Sequence, residues 1–136
     1  MFTGIIQYKG TIASIKKEAN SPLQVTVHVN DASFIEAQKI GDSIAIDGIC
    51  LSIVQKNVEK QELMFQAIEQ TCLVTTIGSR QVGDSVNVEP ALSVHDTLDG
   101  HIVTGHIDYK VHILDIVYHE DGSWQLFIEN KKPELI

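Results

Sequence analysis

An internal repeat constrains this chain more than any other feature. Thr104-Gly105-His106-Ile107-Asp108-Tyr109-Lys110 lies over Thr3-Gly4-Ile5-Ile6-Gln7-Tyr8-Lys9, an offset of 101 residues. The same offset, without a gap, sets Ile12 over Ile113, Ile15 over Ile116, Gln24 over Gln125 and Ile35 over Ile136. A repeat of this kind says that one folding unit is used twice. The second copy ends at the equivalent of Ile35, while the first runs on well past it. The sequence therefore divides into a first unit with its linker (1–97) and the opening of a second (98–136).

The first unit reads as β-structure: short apolar runs broken by Gly, Asn and Asp. Phe2 to Ile15 is expected as a first strand, bent at Gly10. Gln24 to Val29 alternates with period two, with Val25, Val27 and Val29 on one face. Asn30 or Asp31 is placed to cap a short helix over Ser33 to Gln38. Gly41 to Gly48 reads as a turn, a strand and a second turn or bulge at Asp47-Gly48. Cys50 to Gln55 and Glu62 to Ala67 form a hairpin across the polar stretch Lys56 to Gln61. Glu69 to Thr76 is a helical turn, and Gly83 to Val88 echoes Gly41 to Ile46 as a last strand. Six short strands with one or two short helices suit a small closed antiparallel barrel, which has no exposed edges.

Pro90 to Gly100 reads as a linker. The second unit then offers His101 to Ile116 and Trp124 to Ile128 as strands. Two strands of a six-stranded barrel cannot bury their apolar face alone. The expectation is a fragment of, or a deletion from, a longer chain, with a surface that seeks a partner and hence a homo-oligomer.

Composition narrows the partners. The formal net charge is -8, with 10 Lys and Arg and no basic run, so nucleic acid and anionic membranes are poor partners. No stretch reaches the roughly 18 apolar residues of a membrane span. Two cysteines, Cys50 and Cys72, make no disulfide framework, and the start carries no signal peptide. Both point to a reducing cytoplasm.

Three groups carry possible chemistry. Gly48-Ile49-Cys50-Leu51-Ser52 puts a thiol and a hydroxyl on one strand face. Cys50 is either a functional thiol or a buried structural one. His101 and His106 stand five apart, on opposite faces of an extended strand, so they do not chelate one metal. Each is a proton shuttle or a plain surface histidine. No histidine or cysteine spacing fits a metal site. Glu69-Gln70-Thr71-Cys72-Leu73-Val74-Thr75-Thr76 is dense in hydroxyls and amides. It suits a polyhydroxyl or heterocyclic ligand, or equally a capped helical turn.

Four stretches together resemble riboflavin synthase. They are Met1-Phe2-Thr3-Gly4-Ile5-Ile6, Gly41 to Leu51, Val82 to Glu89, and Gly100-His101-Ile102-Val103-Thr104-Gly105-His106-Ile107-Asp108. The resemblance runs in order along the whole chain and accounts for the repeat, since that family has two similar barrels. It implies a six-stranded antiparallel Greek-key barrel followed by an incomplete second copy. It implies dismutation of two 6,7-dimethyl-8-ribityllumazine molecules to riboflavin and 5-amino-6-ribitylamino-pyrimidinedione, with no cofactor and no metal. It implies a trimer for full-length members, with the reaction between barrels of different subunits.

Carried over by motif, the resemblance implies substrate contacts at Gly4, Ile5 and Ile6, and at Cys50, Leu51 and Ser52. It adds Gln66, Ala67, Ile68, Glu69, Gln70 and Thr71, then Gly105, His106 and Ile107. Ser43, Cys50, His101 and His106 are its catalytic candidates, with Cys50 and His106 foremost. Gln70-Thr71-Cys72-Leu73 departs from the family's Glu-Thr-Leu followed by Arg or Lys, and Ser52 stands where Thr is common. The family also holds non-catalytic antenna proteins that bind lumazines or flavins. Those tend to lose the pattern that His101, Thr104, Gly105 and His106 keep here, which favours the enzyme as parent.

Overall fold

The computed structural model describes residues 1–130. Six strands close into a barrel in the order β1-β2-β5-β4-β3-β6. They are β1 (Tyr8–Lys16), β2 (Leu23–Val29), β3 (Ser43–Ile46), β4 (Ile49–Asn57), β5 (Glu62–Ala67) and β6 (Ser85–Pro90). Every pairing is antiparallel, and β6 closes the ring by pairing with both β1 and β3. Pro90 ends β6, where a missing N–H costs the ladder least.

The alternation in the sequence becomes inside and outside. Val25, Val27 and Val29 are buried with Ile12, Ile44, Ile46, Ile53, Leu63, Phe65, Val86 and Val88 in one core. Each such side chain contributes roughly 1.5–3 kcal/mol by leaving water. Helix α1 (Ala32–Ala37) adds Phe34 and Ile35 to this core. Asp31 is its N-cap: its carboxylate accepts from the Phe34 N–H at 2.8 Å and the Ser33 hydroxyl at 2.7 Å. At the other end, Lys56 Nζ donates to the carbonyls of Gln38 and Glu36 at 2.6 and 3.1 Å, satisfying helix-end acceptors.

Turn chemistry fixes the β3–β4 hairpin. Asp47 and Gly48 both take positive φ, 49° and 80°, as a tight two-residue hairpin turn demands. Asp47 also ties the turn to its surroundings. It accepts from the Asn87 N–H at 2.8 Å and from Arg80 Nη2 at 2.6 Å. Gly10 has a different role. A Cβ there would lie 2.6 Å from Val27 Cγ1 and 3.0 Å from Val88 Cγ2. The barrel interior leaves no room at this position.

Two expectations change in detail. The first strand begins at Tyr8, not Phe2, and its irregularity falls between Ile12 and Ser14 rather than at Gly10. Residues 2–6 form a separate arm, because Phe2 bridges Val103 instead of a barrel strand. The expected strand from His101 to Ile116 is regular only from Ile113, in β7 (Ile113–Tyr118). It pairs with β8 (Trp124–Ile128) in a separate two-stranded sheet. Gly105, at φ 76°, interrupts the extended run upstream. On this sheet Tyr118 is 77% and Trp124 58% exposed, the uncovered apolar surface foreseen from the repeat. No helix among the described residues is long and apolar enough to cross a membrane.

Two measurements test this packing. Gly10→Ala is expected to lower stability by about 1–3 kcal/mol through overpacking, read as a lower urea midpoint at unchanged m-value. A second concerns acid. Hydrogen bonds from the Ser33 hydroxyl and the Phe34 N–H hold the Asp31 carboxyl below its ordinary value. Its contribution is complete above the unfolded value of about 3.9 and is lost as pH falls through the lower folded one. Asp31→Asn is expected to flatten that part of an acid-unfolding curve.

Candidate functional site

The site begins at the seam between the barrel and the chain that follows it. Residues 101–105 run as a strap along the N-terminal arm. Phe2 and Val103 exchange two backbone hydrogen bonds, at 2.8 and 3.1 Å, and the His101 N–H donates to Thr3 O at 3.1 Å. The strap then reaches β4, where the Cys50 N–H donates to Gly105 O at 2.9 Å. This approach depends on glycine. A Cβ on Gly105 would meet Cys50 Cβ at 2.8 Å, Cys50 N at 3.0 Å and Phe2 Cε2 at 3.1 Å, and its φ of 76° disfavours any other residue.

Across from the strap stands helix α2 (Glu69–Val74). Its C-terminal end is tied down by Thr75, which is buried. Thr75 Oγ1 donates to Thr71 O at 2.6 Å and accepts from the Ile77 N–H at 3.3 Å. Lys110 Nζ, downstream of the strap, donates to Thr75 O at 3.2 Å. That bond ties the chain after the strap to the end of the helix, beside an open cleft.

That cleft, of about 180 Å³, is lined by Cys50, Gln70, Thr71, Gly105, His106 and Ile107 together with Ile49, Val74 and Thr75. A second cleft of about 310 Å³ shares Gly105, His106 and Ile107 and adds Phe2, Gly4, Ile6 and Ala45. Residues 105–107 are common to both clefts. The first offers a thiol, an amide and hydroxyls; the second is walled mainly by apolar groups. Such a pair suits a ligand with one polar and one apolar part.

The residues named from sequence thus separate into groups. Cys50, Gln70, Thr71, Gly105, His106 and Ile107 come together, with Gly4 and Ile6 on the adjoining cleft. Leu51 and Ala67 belong to the barrel core and line neither cleft. Ser43 and Ser52 are paired across β3 and β4, one rung beyond the Ala45–Cys50 pair and its flank, and neither lines the two clefts. Gln66 is exposed on β5 opposite Gln24. Ile68 and Glu69 line a separate surface cleft with Lys17, Asn20, Ser21 and Pro22. Ile5 lines a third cleft, of about 220 Å³, with Thr3, Gln7, Asp96, Thr97 and Asp99. His101 approaches Gly4, where an added Cβ would lie 3.4 Å from His101 Cε1.

One residue at this seam carries no signal in the sequence pattern. Glu89 is 3% exposed. It lines both the third cleft and the apolar one. With Val86 and Val88 facing inward, alternation would put Glu89 outside. Among the described residues, no group of three or more His, Cys, Asp or Glu is arranged to hold a metal ion.

Comparison with known proteins bears on this geometry. The family model for the lumazine binding domain matches residues 3–91. The chain belongs to the lumazine-binding family. It is 33% identical over 116 residues to riboflavin synthase of Bacillus subtilis (strain 168), covering 85% of this chain and 52% of that protein. It is 32% identical over 136 residues to riboflavin synthase of Escherichia coli (strain K12), covering 100% and 62%. The chain therefore spans about half to three-fifths of the length of these curated relatives. Among solved structures, LumP complexed with 6,7-dimethyl-8-(1'-D-ribityl) lumazine aligns with a TM-score of 0.77 at 25% identity, covering 94% of this chain and 68% of that one. LumP complexed with riboflavin aligns at 0.73 and 25%, covering 88% and 62%.

The contact at Gly105 is directly testable. Gly105→Ala is expected to break the Cys50–Gly105 hydrogen bond and speed exchange of the Cys50 amide by at least about tenfold. Amide exchange in β2 should stay as in the parent chain. Unchanged protection at Cys50 would mean that the strap does not press on β4 as described.

Proposed function

We propose that this lumazine-binding barrel serves the riboflavin synthase reaction and that its seam cleft holds one 6,7-dimethyl-8-ribityllumazine or one riboflavin. The observation that carries the reading is the convergence of Cys50, Gln70, Thr71 and Gly105 to Ile107 from three separate stretches onto one cleft. The curated relatives named riboflavin synthase support it.

The chemistry asks for a binding device. In the dismutation one lumazine gives up a four-carbon unit and becomes the pyrimidinedione; the other takes that unit and becomes riboflavin. The donor's C7 methyl is acidic because its anion delocalises into the ring. Holding two rings together supplies most of the effect, of the order of 7–11 kcal/mol in favourable cases. The rest is proton movement. Cys50 and His106 stand in the same cleft and are the groups assigned to it, as hydrogen-bond partner and proton carrier. Thr71 and Gln70 contribute the donors and acceptors that suit a ribityl chain or a pyrimidinedione edge. His101, Ser43 and Ser52 are assigned supporting roles, since none lines this cleft.

One barrel offers one such ring site, so the reaction takes two clefts face to face. We assign residues 1–97 to the barrel and 98–136 to the beginning of a second one. The uncovered sheet of β7 and β8 is expected to bring copies together as a homo-oligomer.

A second reading is a binding protein without catalysis. The alignment with LumP in complex with lumazine and with riboflavin favours it. Incubation with 6,7-dimethyl-8-ribityllumazine separates the two. Riboflavin formation that rises faster than linearly with protein concentration is the enzyme's result. Tight lumazine binding with no riboflavin at any concentration is the binding protein's, and absence of binding rejects both. In either case Thr71→Val is expected to weaken binding by about 1 kcal/mol, roughly fivefold, in a fluorescence titration.

A further inference from the structure

We propose that Glu89 is a positioning residue for the seam cleft: it fixes the arm on which the strap lies, and through the strap it holds Gly105 against Cys50 at the cleft that His106 also lines. The inference rests on the ligand-binding reading of the cleft for its functional consequence, though not for its structural one.

Glu89 belongs to β6 and pairs there with Ala45 of β3, so its backbone is part of the closed barrel. Its side chain leaves that framework. Oε1 alone accepts three hydrogen bonds: from the Thr3 N–H at 2.7 Å, from Thr3 Oγ1 at 3.0 Å and from the Gly4 N–H at 3.2 Å. Thr3 Oγ1 in turn accepts from the Ile5 N–H at 3.2 Å. A carboxylate this deeply buried is costly unless donors meet it, and here three converge on one oxygen. Charge-assisted bonds of this kind are roughly twice as strong as neutral ones.

What Glu89 holds, the strap uses. Thr3 O receives the His101 N–H, and Phe2 exchanges its pair of bonds with Val103. Two residues further, Gly105 O takes the Cys50 N–H. No regular strand lies between β6 and the strap on this side; the arm is the intermediary. Its hold on the barrel runs through Glu89, the neighbouring Met1 O to Leu92 N–H bond and the packing of buried Phe2. Removing the carboxylate leaves the N–H groups of Thr3 and Gly4 without their acceptor. The strap then loosens at its far end, where it covers Cys50.

The test uses the whole chain and three variants: Glu89→Ala, Glu89→Gln, and Ile12→Val as a core change unrelated to the arm. Two quantities are read well below the melting temperature. One is the rate at which iodoacetamide alkylates Cys50, followed by peptide mass mapping with Cys72 as internal reference. The other is the dissociation constant of riboflavin by fluorescence titration. Glu89→Ala is expected to raise the Cys50 rate relative to Cys72 by roughly tenfold or more and to weaken riboflavin binding by a similar factor. Glu89→Gln keeps an acceptor without the charge and should fall between. Ile12→Val should change neither, whatever melting temperature it loses.

Glu89→Ala matching Ile12→Val in both readouts would overturn the proposal. If Glu89→Ala fails to fold, a folded Glu89→Gln with the parent's Cys50 rate and the parent's affinity overturns it equally. If the parent chain binds no riboflavin, the ligand reading falls, and the alkylation rates still decide whether Glu89 sets the strap.

Discussion

Closure of the barrel through β6 is the constraint on which the rest of this structure depends. By pairing with β1 on one side and β3 on the other, β6 removes every open edge from the first unit. The core then needs no partner, and the loops and arm can be spent on recognition. Closure also places Glu89 and Pro90 at the rim where the N-terminal arm begins. The arm, the strap and the cleft are all arranged around that rim.

The cleft is therefore a product of tertiary structure and not of one motif. Cys50 comes from a barrel strand, Thr71 from a six-residue helix and His106 from chain that has already left the barrel. They meet because Gly105 can pass within van der Waals contact of Cys50. The repeat adds a second consequence. Gly105 is the counterpart of Gly4, and both take positive φ, 76° and 81°. The two copies of Thr-Gly thus lie at one seam, Gly4 beside His101 and Gly105 beside Cys50.

Much of this was readable in the sequence, and the reasons are physical. Val25, Val27 and Val29 alternate because one face of β2 is core, and Asp47-Gly48 marks its turn because few residue pairs tolerate two positive φ values. The arm and strap read as strands because Phe2, Ile5, Ile6, Ile102, Val103 and Ile107 have strand-like composition. Composition cannot say that Phe2 pairs with Val103 across a hundred residues instead of with its neighbours in the barrel. Glu89 escaped for a similar reason. Its burial is decided by the Thr3 and Gly4 N–H groups, which no local pattern brings near it. Leu51, Ala67, Ser52 and Gln66 group with Cys50 and Thr71 only because they lie close to them in sequence. Strand alternation sends Leu51 and Ala67 to the core and Ser52 and Gln66 to the outer surface, away from the cleft.

The seam between strap and barrel is the site proposed for a ribityl heterocycle. A crystal structure of this chain grown with riboflavin tests it most directly. Ligand density is expected against Cys50, Thr71 and residues 105–107, with the strap bonds to Phe2 and Cys50 intact. Riboflavin found at the opposite end of the barrel, or on the β7–β8 sheet with the seam empty, would contradict it.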